Sequence, residues 1–345
     1  MAKRAVFIPS ALMAASIIAL IPIFVSLRGG TPDTIIYKNI YHSIEDVFVG
    51  NPISFYISTG IEWGFGLFAF LFKIIQAPLP LFFYAVSFFT FVAIYLSGTT
   101  LKLRKNILLL IYIASSHFWM LQFMQIRQGL AVAISYFAIM QYNKNRNRGQ
   151  FFLLAIVGIS FHQSVLAIFV FFVAFRFLKL HLVSYRNFIF KSFGLLLFLI
   201  IFFDLFLLNV LVSTVPRLAL YKASSNFGAS VAVLNPATVR VALITLFCYA
   251  LSNFSHKNNL NFRVLLYFMV VALGCRIGFS DFAILSGRLS TLFSFSEVFL
   301  LAYILTHRFS VTGSAIISTV FCLSNAYLVL SLQAKMVVDT YALAL

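Results

Sequence analysis

The sequence predicts an all-α, polytopic membrane protein, and three observations carry that prediction. Of the 345 residues, 62% are hydrophobic and only 10% are charged, against roughly a quarter charged in soluble domains. Mean hydropathy is +1.01, and apolar runs near the ~20 residues needed for a crossing recur from Ala5 almost to the last residues. Runs such as 193–203 and 169–174 do not alternate polar with apolar residues. A membrane backbone must satisfy its own hydrogen bonds, so helices are favoured over a barrel.

The formal charge of +17 would suggest a nucleic-acid partner in a soluble chain. Here Lys and Arg gather in short connections between apolar runs, which is how membrane topology is encoded, so no nucleic acid is expected. Cys248, Cys275 and Cys322 are isolated in or beside apolar runs and suggest neither a disulfide framework nor a metal site. Segment 5–27 is too long for a signal-peptide core and is expected to be a retained first helix.

Basic clusters orient the chain. Lys3/Arg4, Lys102/Arg104/Lys105, Lys144/Arg146/Arg148, Arg176/Lys179/Arg186/Lys191, Lys257/Arg263 and Arg308 are placed inside. This gives about eleven crossings, N-terminus in and C-terminus out. The count works only if 57–76 does not cross, so this segment, with Glu62, Gly64, Gly66 and Lys73 ahead of Pro78 and Pro80, is expected to be a re-entrant or interfacial half-helix. Between Gln150 and Phe177 the charge rule demands two short helices meeting near 160–164, a hairpin whose apex carries His162, Gln163 and Ser164 below the outer surface. Irregular backbone at that depth must be buried in protein or line a wet cavity. The chain reads as one transmembrane domain, 1–345, with outer loops 28–60 and 214–235 holding short amphipathic helices.

Ionisable residues in or beside membrane segments are costly and mark candidate sites. In this topology Asp33, Glu45, Asp46, Glu62, Asp281 and Asp339 lie outside, while Asp204 and Glu297 fall inside helices, as a pair or as a proton path. Arg28, Lys38, Arg127, Arg217, Lys222, Arg240, Arg276 and Arg288 are also outside, where topology does not explain them. An anionic substrate does. Arg127 and Arg288 are expected where loops turn into helices, and an Arg fork beside free N–H groups suits phosphate or pyrophosphate. The alternative is structural pairing, Arg127 with Glu62 and Arg288 with Asp281. His162 is the acid/base candidate, with a hydrogen-bonded packing role as the alternative. Glu62 and Asp33 can activate a hydroxyl, and Asp33 is equally placed to cap a helix over 33–49. The spacing of His42, Glu45 and Asp46 could hold a metal but lacks a further partner, so no metal or cofactor is expected.

These pieces resemble the EpsG-like group of Wzy-type polysaccharide polymerases. The matching stretches, in order, are Arg28-Gly29-Gly30-Thr31-Pro32-Asp33 with Tyr37 and Tyr41, Glu62-Trp63-Gly64-Phe65, Ile126-Arg127-Gln128-Gly129-Leu130-Ala131, Phe161-His162-Gln163-Ser164 and, later, Gly287-Arg288-Leu289. Pro32 departs from the family's Gly-Thr-Asp and shifts Asp33 by one residue. The resemblance implies a GT-C-like, metal-independent glycosyltransferase of the bacterial inner membrane. It would work at the periplasmic or outer face on an undecaprenyl-pyrophosphate-linked oligosaccharide amid membrane lipids, with a chain-length regulator as a further partner. It also implies catalytic roles for His162, Glu62 and Asp33, and diphosphate contacts for Arg127, Arg288 and Arg28. Tyr37, Tyr41, Trp63 and Gln128 would meet sugars, although the aromatics equally fit an interfacial belt. Competing readings are a ligase using a different acceptor, a flippase or transporter of a lipid-linked anion, and a membrane O-acyltransferase using His162. A transporter should show paired broken helices in two halves, and no such symmetry is visible.

Overall fold

The computed structural model describes residues 7–47, 52–214, 218–219, 222, 229–252 and 259–328. Lys3, Arg4, Arg217, Lys257 and Asp339, and half of loop 214–235, lie outside the described residues. Every regular element among those described is a helix, as composition demands. Among the described residues, four helical stretches are long and apolar enough to cross a membrane: Leu79–Thr100, Tyr185–Thr214, Leu260–Gly278 and Ala283–Arg308. A bent pair, Lys105–Ala114 with Ser116–Met124, makes a fifth if it is one span. Other apolar helices are shorter, at 10–17 residues. Helix length among the described residues therefore supports a multi-pass protein with four or five candidate spans, and does not confirm the eleven crossings expected from charge.

Packing divides the chain into two compact units, one formed by residues up to Phe169 together with those from Leu305 onward, the other by Val170–Ile304. In the first, α1 (Phe7–Ser26) precedes α2 (Pro32–Val47) and α3 (Pro52–Thr59), the short helices of the 28–60 loop. Gly60, with φ 66°, ends α3 in a backbone conformation that a Cβ would strain. Then comes α4 (Trp63–Ile74), only 12 residues and so about 18 Å long, well short of a ~30 Å hydrocarbon layer. Chain direction changes again at Gln76, φ 53°, before α5 (Leu79–Thr100). Tyr37, Tyr41, Phe55, Phe65, Phe82 and Phe83 form an aromatic core that joins these helices.

α6 (Lys105–Ala114) and α7 (Ser116–Trp119) meet at a 68° bend. Ser115 makes it: its hydroxyl donates to the Tyr112 carbonyl at 2.7 Å and accepts from the Phe118 N–H. A π-turn, Met120–Met124, leads to α8 (Ile126–Asn145), which packs between α5 and α9 (Arg148–Phe161). The buried Gln122 is satisfied on both sides, accepting from Ser87 at 2.7 Å and donating to Tyr112 at 2.8 Å. After His162 and a short 3-10 turn the chain enters α10 (Leu166–Phe177). Phe151 and Phe169 are 18 residues apart, about 27 Å along a straight helix, yet their rings lie 5.7 Å apart. The chain therefore turns back at His162, as a hairpin requires.

The end of one late element and the whole of another complete the first unit. α16 (Ser296–Arg308) ends against Arg104, whose guanidinium donates to the carbonyls of Phe309 at 3.2 Å and Ser310 at 3.1 Å. The Arg104 N–H donates to Thr306 Oγ1 at 3.0 Å. α17 (Val311–Leu328) packs on α6, with Cys322 and Asn325 reaching the carbonyls of Leu110 and Ala114.

The second unit is built around α14 (Leu260–Gly278), whose side chains are almost all buried. It packs on α11 (Tyr185–Phe202), α13 (Pro236–Leu251) and α15 (Ala283–Ser294). α11 runs through a second π-turn into α12 (Leu208–Thr214). Between membrane helices the hydrophobic effect is weak, and close van der Waals contact takes its place. Accordingly Phe203 and Phe279 stack at 4.6 Å. Arg263 donates to the Val183 carbonyl at 2.6 Å.

Candidate functional site

The residues singled out by sequence converge in the first unit on one carboxylate. Glu62 sits just before α4 in extended backbone, φ −68° and ψ 142°, and is buried. One oxygen, Oε2, accepts from Arg127 Nη1. The other, Oε1, accepts from the Gln163 N–H at 3.2 Å and lies 3.6 Å from His162 Nδ1. A carboxylate from one short helix thus ties the first turn of α8 to the apex between α9 and α10.

Each partner is positioned by a local irregularity. Arg127 is the second residue of α8, where the helix dipole disfavours a cation. Glu62 offsets that cost, and Arg127 is held further by a hydrogen bond to the Tyr37 hydroxyl and by the Tyr37 ring 5.6 Å from its guanidinium carbon. Upstream, the Phe123 carbonyl in the π-turn accepts from the hydroxyls of Thr31 and Thr34 at 3.1 and 3.2 Å. These bonds pin the start of α2 to the chain entering α8. Tyr37 itself is buried on α2, and burial pushes its phenol up against the pull of Arg127, so it stays protonated at neutral pH.

His162 ends α9 in extended backbone, φ −159° and ψ 113°, and its ring caps the following 3-10 turn. Nδ1 meets the Ser164 hydroxyl at 2.9 Å and the Ser164 N–H at 3.3 Å. A backbone N–H can only donate, which assigns the neutral ring's proton to Nε2. The Gln163 side chain donates to the Tyr56 hydroxyl on α3 at 2.6 Å. Gly64 lets these pieces meet: a Cβ there would lie 2.7 Å from the Ser160 carbonyl oxygen on α9.

The other expected residues divide. Asp33 lies in the first turn of α2 and acts electrostatically on both Tyr37 and Arg127. The cap expected of Asp33 is made instead by Thr31, whose hydroxyl accepts from the Thr34 N–H at 3.3 Å, because Pro32 is the first helical residue. Arg28 is buried with its guanidinium carbon 4.2 Å from the Phe83 ring centroid, and acts electrostatically on Tyr37. Trp63 is 38% exposed beside Glu62. Gln128 is buried next to Arg127. Tyr41 is core: it is 2% exposed and its hydroxyl donates to the Ala77 carbonyl at 2.6 Å.

Arg288 belongs to the second unit and lies in the second turn of α15, not at the helix mouth expected for it. Among the described residues it forms no ion pair with Asp281. Glu297, expected either to pair with Asp204 across helices or to mark a proton path, pairs instead with Arg240 at 2.5 Å. Tyr56 was not expected at the site. It belongs to no recognisable motif, and only its place in the 28–60 loop pointed to it. No group of three or more His, Cys, Asp or Glu gathers among the described residues around His42 or elsewhere.

An all-helical, multi-pass membrane protein with a buried Arg–Glu–His cluster joining short, interrupted helices is the class that fold and site define. Residues 12–339 match the model of the EpsG family. The chain belongs to the EpsG family, in agreement with the resemblance read from its motifs. No curated protein and no solved structure shows significant similarity to it.

Proposed function

We propose that the protein is a polysaccharide polymerase of the bacterial inner membrane. It transfers a glycan from an undecaprenyl-pyrophosphate donor to a lipid-linked repeat unit at the outer face. The observation that carries this reading is the Glu62 carboxylate shared by Arg127 and the His162 apex, because glycosyl transfer from a diphosphate needs a cation and a base side by side.

In the reaction the acceptor hydroxyl oxygen bonds to the anomeric carbon and the bond from that carbon to the diphosphate oxygen breaks. The hydroxyl proton passes to His162 Nδ1, the unprotonated nitrogen, which releases the Ser164 N–H as it takes the proton. Glu62 then faces an imidazolium and stabilises it. The diphosphate leaves as a stable anion, and Arg127, an always-charged fork with five donors, meets it with those that Glu62 and Tyr37 do not occupy. Tyr37 and Trp63 offer ring faces near the same place, and Gln128 an amide. Asp33 serves as an auxiliary carboxylate, and Arg28 as a further cation for the diphosphate.

The test is chain extension in cells that rely on variants of the gene. Arg127→Lys keeps the charge and loses the fork, and His162→Ala removes the base. Both should abolish long chains while protein stays in the membrane at normal level, and wild-type banding from either removes that residue from the site. One observation favours a flippase instead: the bent α6–α7 pair resembles the discontinuous helices of transporters. Lipid-linked single repeats trapped on the inner leaflet of a null strain would support that reading.

A further inference from the structure

In the second unit two guanidiniums lie near one another and only one of them meets a carboxylate. Arg240, on the second turn of α13, donates to Glu297 Oε1 at 2.5 Å, and Glu297 is 1% exposed. Arg276, near the end of α14, donates from Nε to Thr238 Oγ1 at 3.1 Å and from Nη2 to Asn235 Oδ1 at 3.3 Å. Both acceptors are neutral. Arg240 is close enough to repel Arg276, and among the described residues no carboxylate forms an ion pair with Arg276. Asp281 is exposed and forms none either.

The helix ends leave this excess positive charge in place. The C-terminus of α14 contributes roughly −0.5 charge beside Arg276, while the N-terminus of α13, where Asn235 caps, contributes roughly +0.5. The two cancel to first order. Ser286 Oγ donates to the Arg276 carbonyl at 2.9 Å, which fixes α15 alongside, and the space where a Gly287 Cβ would stand is open. A half-buried cation without a counter-charge at a membrane helix is costly, and the Thr238 and Asn235 oxygens orient Arg276 without neutralising it.

We infer that Arg276 and Arg240 form a binding site for a phosphate-type oxyanion carried by a lipid. The site is separate from the Glu62–Arg127–His162 cluster and does not rest on the polymerase reading. Two sources share the chemistry: the head group of an anionic phospholipid and the diphosphate of a lipid-linked glycan.

The experiment titrates inorganic pyrophosphate into the full-length protein in zwitterionic nanodiscs and follows binding by calorimetry. Wild-type protein should bind saturably, and the saturable binding that remains in an Arg127→Lys background, where the other site has lost its fork, reports this site, so the Arg276 variants are compared in that background. Arg276→Gln should weaken binding by about tenfold or more, as loss of a charge-assisted fork does, while Arg276→Lys retains most of it. No saturable binding, or an Arg276→Gln affinity equal to wild type, overturns the site. If Arg276→Gln does not fold, Thr238→Val decides. It keeps the charge and removes the Nε acceptor, so weakening of about threefold supports the site and an unchanged affinity rejects it. Repeating the titration with phosphatidylglycerol in the nanodisc assigns the source: competition identifies the phospholipid head group, and undiminished binding identifies the diphosphate.

Discussion

Glu62, Arg127 and His162 are respectively 9%, 15% and 17% exposed at their side chains, so the pair between the first two is no surface decoration. Removing one member of a buried pair costs about 3–5 kcal/mol, so Glu62→Gln should lower the melting temperature of the purified protein as well as abolish extension. Stability and chemistry separate in the double variant Glu62→Gln with Arg127→Gln, which leaves no unpaired charge. It should melt closer to wild type yet make no long chains; recovery of extension would reduce the pair to a structural tie. His162→Ala should cost 10²–10⁴-fold in rate, the usual range for a general base, with little change in melting. At this scale the sequence was informative where residues fall in motifs. Arg127, Glu62 and His162 were all legible, and so was the Arg127–Glu62 pairing. It misplaced the cap, because Pro32 moves the helix start and hands the role to Thr31. It left Tyr41 open between sugar contact and membrane belt, since the bond to the Ala77 carbonyl depends on a turn 36 residues away.

Short helices, more than long ones, position this site. α4 brings Glu62 to the His162 apex only because Gly64 admits the Ser160 carbonyl at its side. Gly64→Ala should therefore displace Glu62 and suppress extension. A Ser160→Gly change should not rescue it, because the obstruction includes backbone, and rescue would show that the contact is merely side chain on side chain. Cysteines placed along 57–76 should react only with reagent added from outside, and labelling at Gln76 from the cytoplasm would refute a half-helix. The interruption of 57–76 was legible from Glu62, two glycines and two following prolines, and the turn at His162 from charge placement. The bend at Ser115 was not, because neither Gly nor Pro marks it. Serine bends the helix through its own hydrogen bonds, which the composition of the segment does not reveal.

For the whole molecule, loss of the gene should leave lipid carriers bearing single repeat units, and persistence of long chains would end the polymerase reading. The helical, multi-pass class was plain from hydropathy. The division into two units was invisible, because no change of composition accompanies it: the chain leaves the first unit after Phe169 and re-enters it at Leu305. Arg104 shows what that return entails. The carbonyls it grips belong to residues 201 to 206 positions further along. During synthesis, then, the guanidinium waits until the whole intervening unit has left the ribosome. The first half of the protein cannot finish folding before the second has been made, and a ribosome that stalls within 170–304 strands the Glu62 site in an unfinished scaffold.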